Sequence, residues 1–217
     1  MKTAQPKSDI TWASPSILFS HPHHFNPLDQ RVWIALPPKE ATEQVFKPGK
    51  VVNIVDTDTL SVRYEGDSRE AFNMKGDKVF PLDTSDQDYN NLMDLPFINE
   101  PEVINNIQKR YQDDQIFSYL GSSLISVNPY KYIHKLFENK VLEQYQEAIR
   151  NLQFDIKELP SHIFAVTGNA VVNLLNTQKN QAIVISGESG AGKTELAKLS
   201  TKFLASLASN ISMKTQK

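Results

Sequence analysis

The chain contains no cysteine. That excludes a disulfide framework and thiolate metal sites, and it agrees with a reducing compartment such as the cytosol. No apolar run approaches the length of a transmembrane helix. The first residues, MKTAQPKSDITWASPS, are basic but lack the apolar core of a signal peptide. Neither sign of charge dominates. The 217 residues carry a formal net charge of −2 and the pI is near 6.2, so there is no electrostatic case for nucleic acid or a membrane surface as partner. Internal repeats and low-complexity blocks are also missing. What is present is 40 % hydrophobic and 22 % charged, enough to build the core of one large domain or two small ones.

The most informative stretch is Ala182–Thr201, AIVISGESGAGKTELAKLST. Ala182, Ile183, Val184 and Ile185 form a short run rich in β-branched residues. Such a run predicts a strand buried on both faces of a parallel sheet. Gly187 to Thr194 then fits the pattern GxxxxGK(S/T), and Leu196, Leu199, Phe203 and Leu207 recur at helical spacing after it. The bare pattern arises by chance in roughly one chain in a hundred of this length. Strand, glycine-rich loop and helix together are the context in which it means phosphate binding. Three glycines and Ala191 let the backbone close around an anion with its N–H groups turned inward. The helix starting near Lys193 adds the positive end of its dipole and its unpaired first-turn N–H groups. Lys193 is placed to reach the β- and γ-phosphates of a nucleoside triphosphate, and the Thr194 hydroxyl to hold the Mg²⁺ that bridges them.

Upstream, residues 1–28 are punctuated by proline and read as an extended arm. His21, His23 and His24 cluster there without acids or cysteines to complete a metal site, so none is assigned. Residues 29–83 read as about five short strands. These include Val32–Leu36, a strand introduced by Pro48-Gly49, and Thr59–Tyr64, where Leu60, Val62 and Tyr64 alternate with polar residues. That density predicts a small antiparallel barrel, with Trp33 and Phe72 in its core. Thr84–Asp94 is a polar joint. A helix with Pro101 as its first residue carries the stripe Val103, Ile104, Ile107 and Tyr111. Two strands follow, Ile116–Leu120 and Ser123–Val127, and then the turn Asn128-Pro129-Tyr130-Lys131. Phe137, Val141, Leu142, Tyr145 and Ile149 mark a second amphipathic helix, and Ser161 begins a third. His162 is expected to pack or hydrogen-bond at that helix start, since no catalytic partner is visible.

These segments carry a family resemblance. GESGAGKTE, from Gly187 to Glu195, resembles the phosphate loop of myosin heavy chains. The resemblance continues through LPFINEPEVINNIQKRYQDDQIFSYLGSSLISVNPYK, Leu95 to Lys131, and through PSHIFA, Pro160 to Ala165. It covers roughly residues 30 to 210 and implies a mixed α/β fold. Residues 1–28 would be an N-terminal arm and 29–83 a small antiparallel β-barrel. Residues 84–217 would be the N-terminal portion of a motor domain of the P-loop NTPase type. The resemblance implies ATP and Mg²⁺ as ligands. The backbone of Gly187, Glu188, Ser189, Gly190, Ala191 and Gly192 would cradle the phosphates, with Lys193 and Ser189 in catalytic roles and Thr194 on the metal. Asn128, Pro129, Tyr130 and Lys131 would lie beside the adenine. Actin filaments are the implied partner, with light chains or calmodulin on a lever elsewhere in the parent, in a cytoplasmic, cytoskeletal setting. One departure stands out: Leu136 occupies the position where the family has a tyrosine near the base.

No segment resembles the family's switch I or switch II, so the chain by itself is expected to hydrolyse ATP poorly. As a three-strand portion of a larger sheet it is expected to expose apolar edges. Two other readings carry different expectations. A small nucleotide kinase would need an Arg-rich lid, which the sequence does not show. A truncated, non-catalytic isoform would bind nucleotide or partners through its barrel.

Overall fold

The computed structural model describes residues 28–40, 44–67, 70–150 and 159–215. The arm expected over 1–28 lies, but for Leu28, outside the described residues. So do its histidines and most of the loop expected before the third helix. The described residues make a mixed α/β structure with a five-stranded antiparallel sheet, a two-stranded hairpin and four α-helices. The chain divides into two compact units, one of residues up to Gln87 with Leu95–Asn105, the other of Asp88–Asp94 with Asn106 onward.

The first unit is built on β1 (Arg31–Ala35), β2 (Phe46–Ile54), β3 (Thr59–Tyr64), β4 (Phe72–Lys75) and β5 (Val79–Pro81), in the order β4-β3-β2-β1-β5. β4 and β5 are the two edges, yet only Gly76–Lys78 separates them. That link spans at most about 14 Å, whereas five flat strands would hold their edges about 19 Å apart. The sheet therefore curls toward a barrel, without the closing ladder of a complete one among the described residues. Val32, Ile34, Val51, Leu60, Val62 and Val79 fill its inner face, as the alternation in Thr59–Tyr64 dictates.

Two details differ from the sequence expectation. β2 runs straight through Pro48-Gly49, with Pro48 opposite Trp33 and Gly49 opposite Val32. A Cβ at Gly49 would collide with the Ile34 side chain and the Arg63 carbonyl, so only glycine lets these strands close. Trp33 is not in the sheet core. It is out of phase with Val32 and Ile34, half-buried on the other face, and its indole N–H donates to Glu102 Oε1 at 2.7 Å. Glu102 also accepts the Asp83 N–H at 2.7 Å. Phe72 packs at the core margin against Tyr64, ring centroids 5.0 Å apart.

Helix α1 (Glu100–Gln112) is capped by Asn99, whose side chain accepts the Glu102 N–H at 3.0 Å. Pro101 takes the second position, still within the turn whose N–H groups have no helical partner. In the second unit, β6 (Phe117–Leu120) and β7 (Ser123–Ser126) pair as a tight hairpin around Gly121 at φ 60°. Asn91 bridges in parallel to Tyr119 beside it. Helices α2 (Asn139–Arg150), α3 (Ile163–Thr177) and α4 (Lys193–Thr215) pack around Phe117, Tyr119, Tyr145, Ile149, Phe164 and Phe203. The Phe164 and Phe203 rings stack 4.7 Å apart at 9°, locking α3 to α4. Thr167 and Ser200 share a hydrogen bond of 2.8 Å between the same helices.

Arg110 is the buried polar hub of this unit. Its guanidinium donates to the Phe117 carbonyl at 3.0 Å, Ser118 Oγ at 3.0 Å, Ser161 Oγ at 3.1 Å and Asp88 at 3.2 Å. It thereby joins α1, β6 and the approach to α3. Burial lowers its pKa, and the Asp88 charge opposes that shift.

The stretch Ala182–Ile185 corrects the sequence expectation. It is not a strand buried on both faces: it pairs with nothing among the described residues, and Val184 is 87 % exposed. Its side chains still alternate, with Ile183 and Ile185 half-buried and Ala182 and Val184 outside. The physical reason is the lack of a neighbour at strand spacing. A cleft of about 380 Å³ lined by Ser123, Leu124, Ser126 and α3 lies on one side of it. A second, of about 490 Å³, lies against α3 and α4.

Candidate functional site

The loop between this extended stretch and α4 is set by glycine. Gly187, Gly190 and Gly192 have φ of 154°, 81° and 90°, values that side chains with a Cβ rarely adopt. Ser189-Gly190 forms the turn, closed by the Ala191 N–H donating to the Glu188 carbonyl at 3.2 Å. The Gly192 carbonyl accepts the Leu196 N–H at 3.1 Å and so starts α4. The first-turn N–H groups of α4 consequently face the loop without carbonyl partners one turn earlier.

Lys193 folds back over this loop. Its Nζ donates to the Gly187 carbonyl at 2.9 Å and to the Glu188 carbonyl at 2.7 Å. The ammonium is thus held where an anion inside the loop would meet it. Ser189 and Thr194 are exposed. Glu195, next along the helix, pairs with Lys198 at 2.8 Å. This arrangement offers one cation, a hydroxyl at a helix start and a ring of backbone N–H groups. That is the donor set for a polyphosphate.

The turn after β7 reaches this loop through one residue. Asn128 Nδ2 donates to the Gly190 carbonyl at 2.7 Å, and its Oδ1 accepts the Tyr130 N–H at 3.0 Å. Tyr130 sits at φ 50° and is 82 % exposed, with its hydroxyl 3.7 Å from where a Cβ on Gly190 would be. Pro129 is half-buried. Lys131 points elsewhere, pairing with Asp114 at 2.6 Å. That hydrogen bond raises the Lys131 pKa and lowers that of Asp114.

Beyond this turn, Leu136, which stands where the family has its tyrosine, and Phe137 pack against the core. Tyr132 stays exposed, its ring 4.6 Å from His134 and 5.7 Å from Phe137. His162 belongs to the scaffold: its Nδ1 caps α3 by accepting the Phe164 N–H at 3.1 Å. Its Nε2 lies 3.1 Å from the Leu136 carbonyl, which makes Nε2 the protonated nitrogen. Burial among Phe117, Tyr145 and Phe164 lowers its pKa to about 4. The Asn128–Gly190 and Lys131–Asp114 contacts were not visible in the sequence. Their partners are far apart in the chain, and no local pattern announces them.

The loop and its helix give the class first: a mixed α/β chain with a glycine-rich loop, closed over by one lysine, at the start of a helix. The family follows from comparison. Residues 89–217 match the model of the myosin head (motor domain). Similar proteins include Myosin-16 of Arabidopsis thaliana, 33 % identical over 180 residues, which are 82 % of this chain and 13 % of that protein. Myosin type-2 heavy chain 1 of Schizosaccharomyces pombe is 33 % identical over 180 residues, 82 % of this chain and 11 % of that protein. Myosin-M heavy chain of Dictyostelium discoideum is 38 % identical over 121 residues, 56 % of this chain and 7 % of that protein. The chain belongs to the myosin head (motor domain) family, and it spans about a tenth of the length of these relatives.

Proposed function

We propose that this chain is the N-terminal part of an actin-based motor that binds and hydrolyses Mg-ATP. The observation that carries the reading is the loop from Gly187 to Gly192, closed over by Lys193 and opening directly into α4. In this reading residues 29–83 are the small N-terminal barrel domain and 84–217 the first portion of the motor domain.

Lys193 exchanges its two loop carbonyls for β- and γ-phosphate oxygens and neutralises their charge. The N–H groups of Gly187, Glu188, Ser189, Gly190, Ala191 and Gly192 with the first turn of α4 hold the remaining oxygens. Thr194, exposed at the start of α4, is the residue that would hold Mg²⁺, which enters with the nucleotide and offsets its charge. Ser189, exposed in the loop's turn, would help to position a water for attack on the γ-phosphate, as the family resemblance implies. Phosphoryl transfer needs little more from protein than such positioning and charge stabilisation. Pro129 and Tyr130 would form the base side, which Lys131 could join only by leaving Asp114, with Tyr132 the exposed aromatic in place of the tyrosine that Leu136 replaces. Actin filaments, and light chains or calmodulin, would be engaged by segments outside these 217 residues.

Ala182–Ile185 fits the same reading as a sheet strand whose neighbours come from other segments of a longer protein. The test is equilibrium binding of Mg-ATP to the chain and to Lys193→Ala. Loss of one charged donor to phosphate is expected to weaken binding by at least about tenfold. Equal affinity of the two proteins would contradict the assignment.

A further inference from the structure

We propose that Asn128 is a positioning residue of the phosphate loop, acting on the Gly190–Ala191 peptide and not on the base. The inference rests on the ATP-binding reading above. Both ends of the Asn128 amide have protein partners: Nδ2 donates to the Gly190 carbonyl at 2.7 Å and Oδ1 accepts the Tyr130 N–H at 3.0 Å. The Gly190 carbonyl and the Ala191 N–H belong to one planar trans peptide, so they point in opposite directions. Holding the carbonyl toward Asn128 therefore turns the Ala191 N–H to the other side. There it meets the Glu188 carbonyl at 3.2 Å, the same oxygen that accepts Lys193 Nζ at 2.7 Å. Asn128 thus fixes the orientation of one peptide of the loop, and with it the turn that the Ala191 N–H closes on Glu188.

The packing agrees. A Cβ on Gly192 would lie 3.8 Å from Asn128 Cβ and Cγ, so Asn128 backs the loop from Gly190 to Gly192. The residue type follows as well. A single side chain must donate to a carbonyl and accept from an N–H, and at this length only an amide does both. At φ 81°, Gly190 has no side-chain contact of its own to hold its peptide plane. Asn128 supplies the restraint that glycine lacks.

A residue that sets the phosphate cradle matters equally for a ligand with no base. The experiment compares Mg-ATP with Mg-tripolyphosphate by calorimetry on the 217-residue chain and on Asn128→Ala, with circular dichroism confirming the fold. Both ligands are expected to weaken about fivefold, the effect of one hydrogen bond. Asn128→Ser, whose hydroxyl can still accept the Tyr130 N–H but is too short to reach Gly190, is expected to give the same parallel loss and serves if the alanine variant does not fold. Weaker Mg-ATP binding with tripolyphosphate unchanged would make Asn128 a base contact and overturn the proposal. So would unchanged binding of both ligands, or a wild-type chain that binds Mg-ATP but not tripolyphosphate. A wild-type chain that binds neither ligand would remove the ATP-binding reading itself, and this inference with it.

Discussion

His162 shows how one buried titratable side chain links packing to pH. Its ring caps α3 through Nδ1 and donates from Nε2 to Leu136, so the neutral form is the one that fits. Its pKa falls from 6.5 to about 4 because burial penalises the charged ring. The unfolded chain therefore binds the extra proton first, between those two values. Stability is full above pH 6.5 and is lost as pH falls toward 4, by about 3 kcal/mol in total. His162→Asn keeps a capping side chain without the titration. Its denaturant midpoint should fall less over that window than the wild type's. Identical pH slopes would place the acid sensitivity elsewhere.

Local features of the phosphate loop were legible because glycine conformation and a helix start depend on neighbouring residues. Gly187, Gly190, Gly192 and the start of α4 at Lys193 all follow from the motif. The hairpin β6–β7 and the four helices follow from periodicity and turn residues for the same reason. Ala182–Ile185 departs from its sequence expectation because a strand is a relation between two backbones, and β-branched residues specify only one of them. Trp33 lies outside the expected core because hydrophobicity does not say which sheet face a residue takes. The phase of Val32 and Ile34 decides it. The unpaired stretch carries its own prediction. In the 217-residue chain the amides of Ile183, Val184 and Ile185 should exchange with solvent far faster than those of Phe117–Tyr119, by mass spectrometry or NMR. Equal protection would mean that a pairing partner is present after all.

The molecule as a whole combines a curled five-stranded sheet with a helical unit that carries the glycine-rich loop. The family is the myosin head, and Asn128 links the loop Gly187–Gly192 to the turn after the preceding hairpin, while Lys131 pairs away from it with Asp114. What the 217 residues do not hold is any segment resembling the switches that would surround the γ-phosphate. Under the proposed function, binding and turnover should therefore separate: the loop would hold the nucleotide, and hydrolysis on this chain alone would be slow. The most direct measurement incubates the purified 217-residue chain with Mg-ATP, isolates the complex rapidly and identifies the bound nucleotide. About one nucleotide per chain is expected, recovered chiefly as ATP and lost in Lys193→Ala. No bound nucleotide would contradict the phosphate-loop assignment. Turnover at the rates of an intact motor would contradict the separation of binding from hydrolysis.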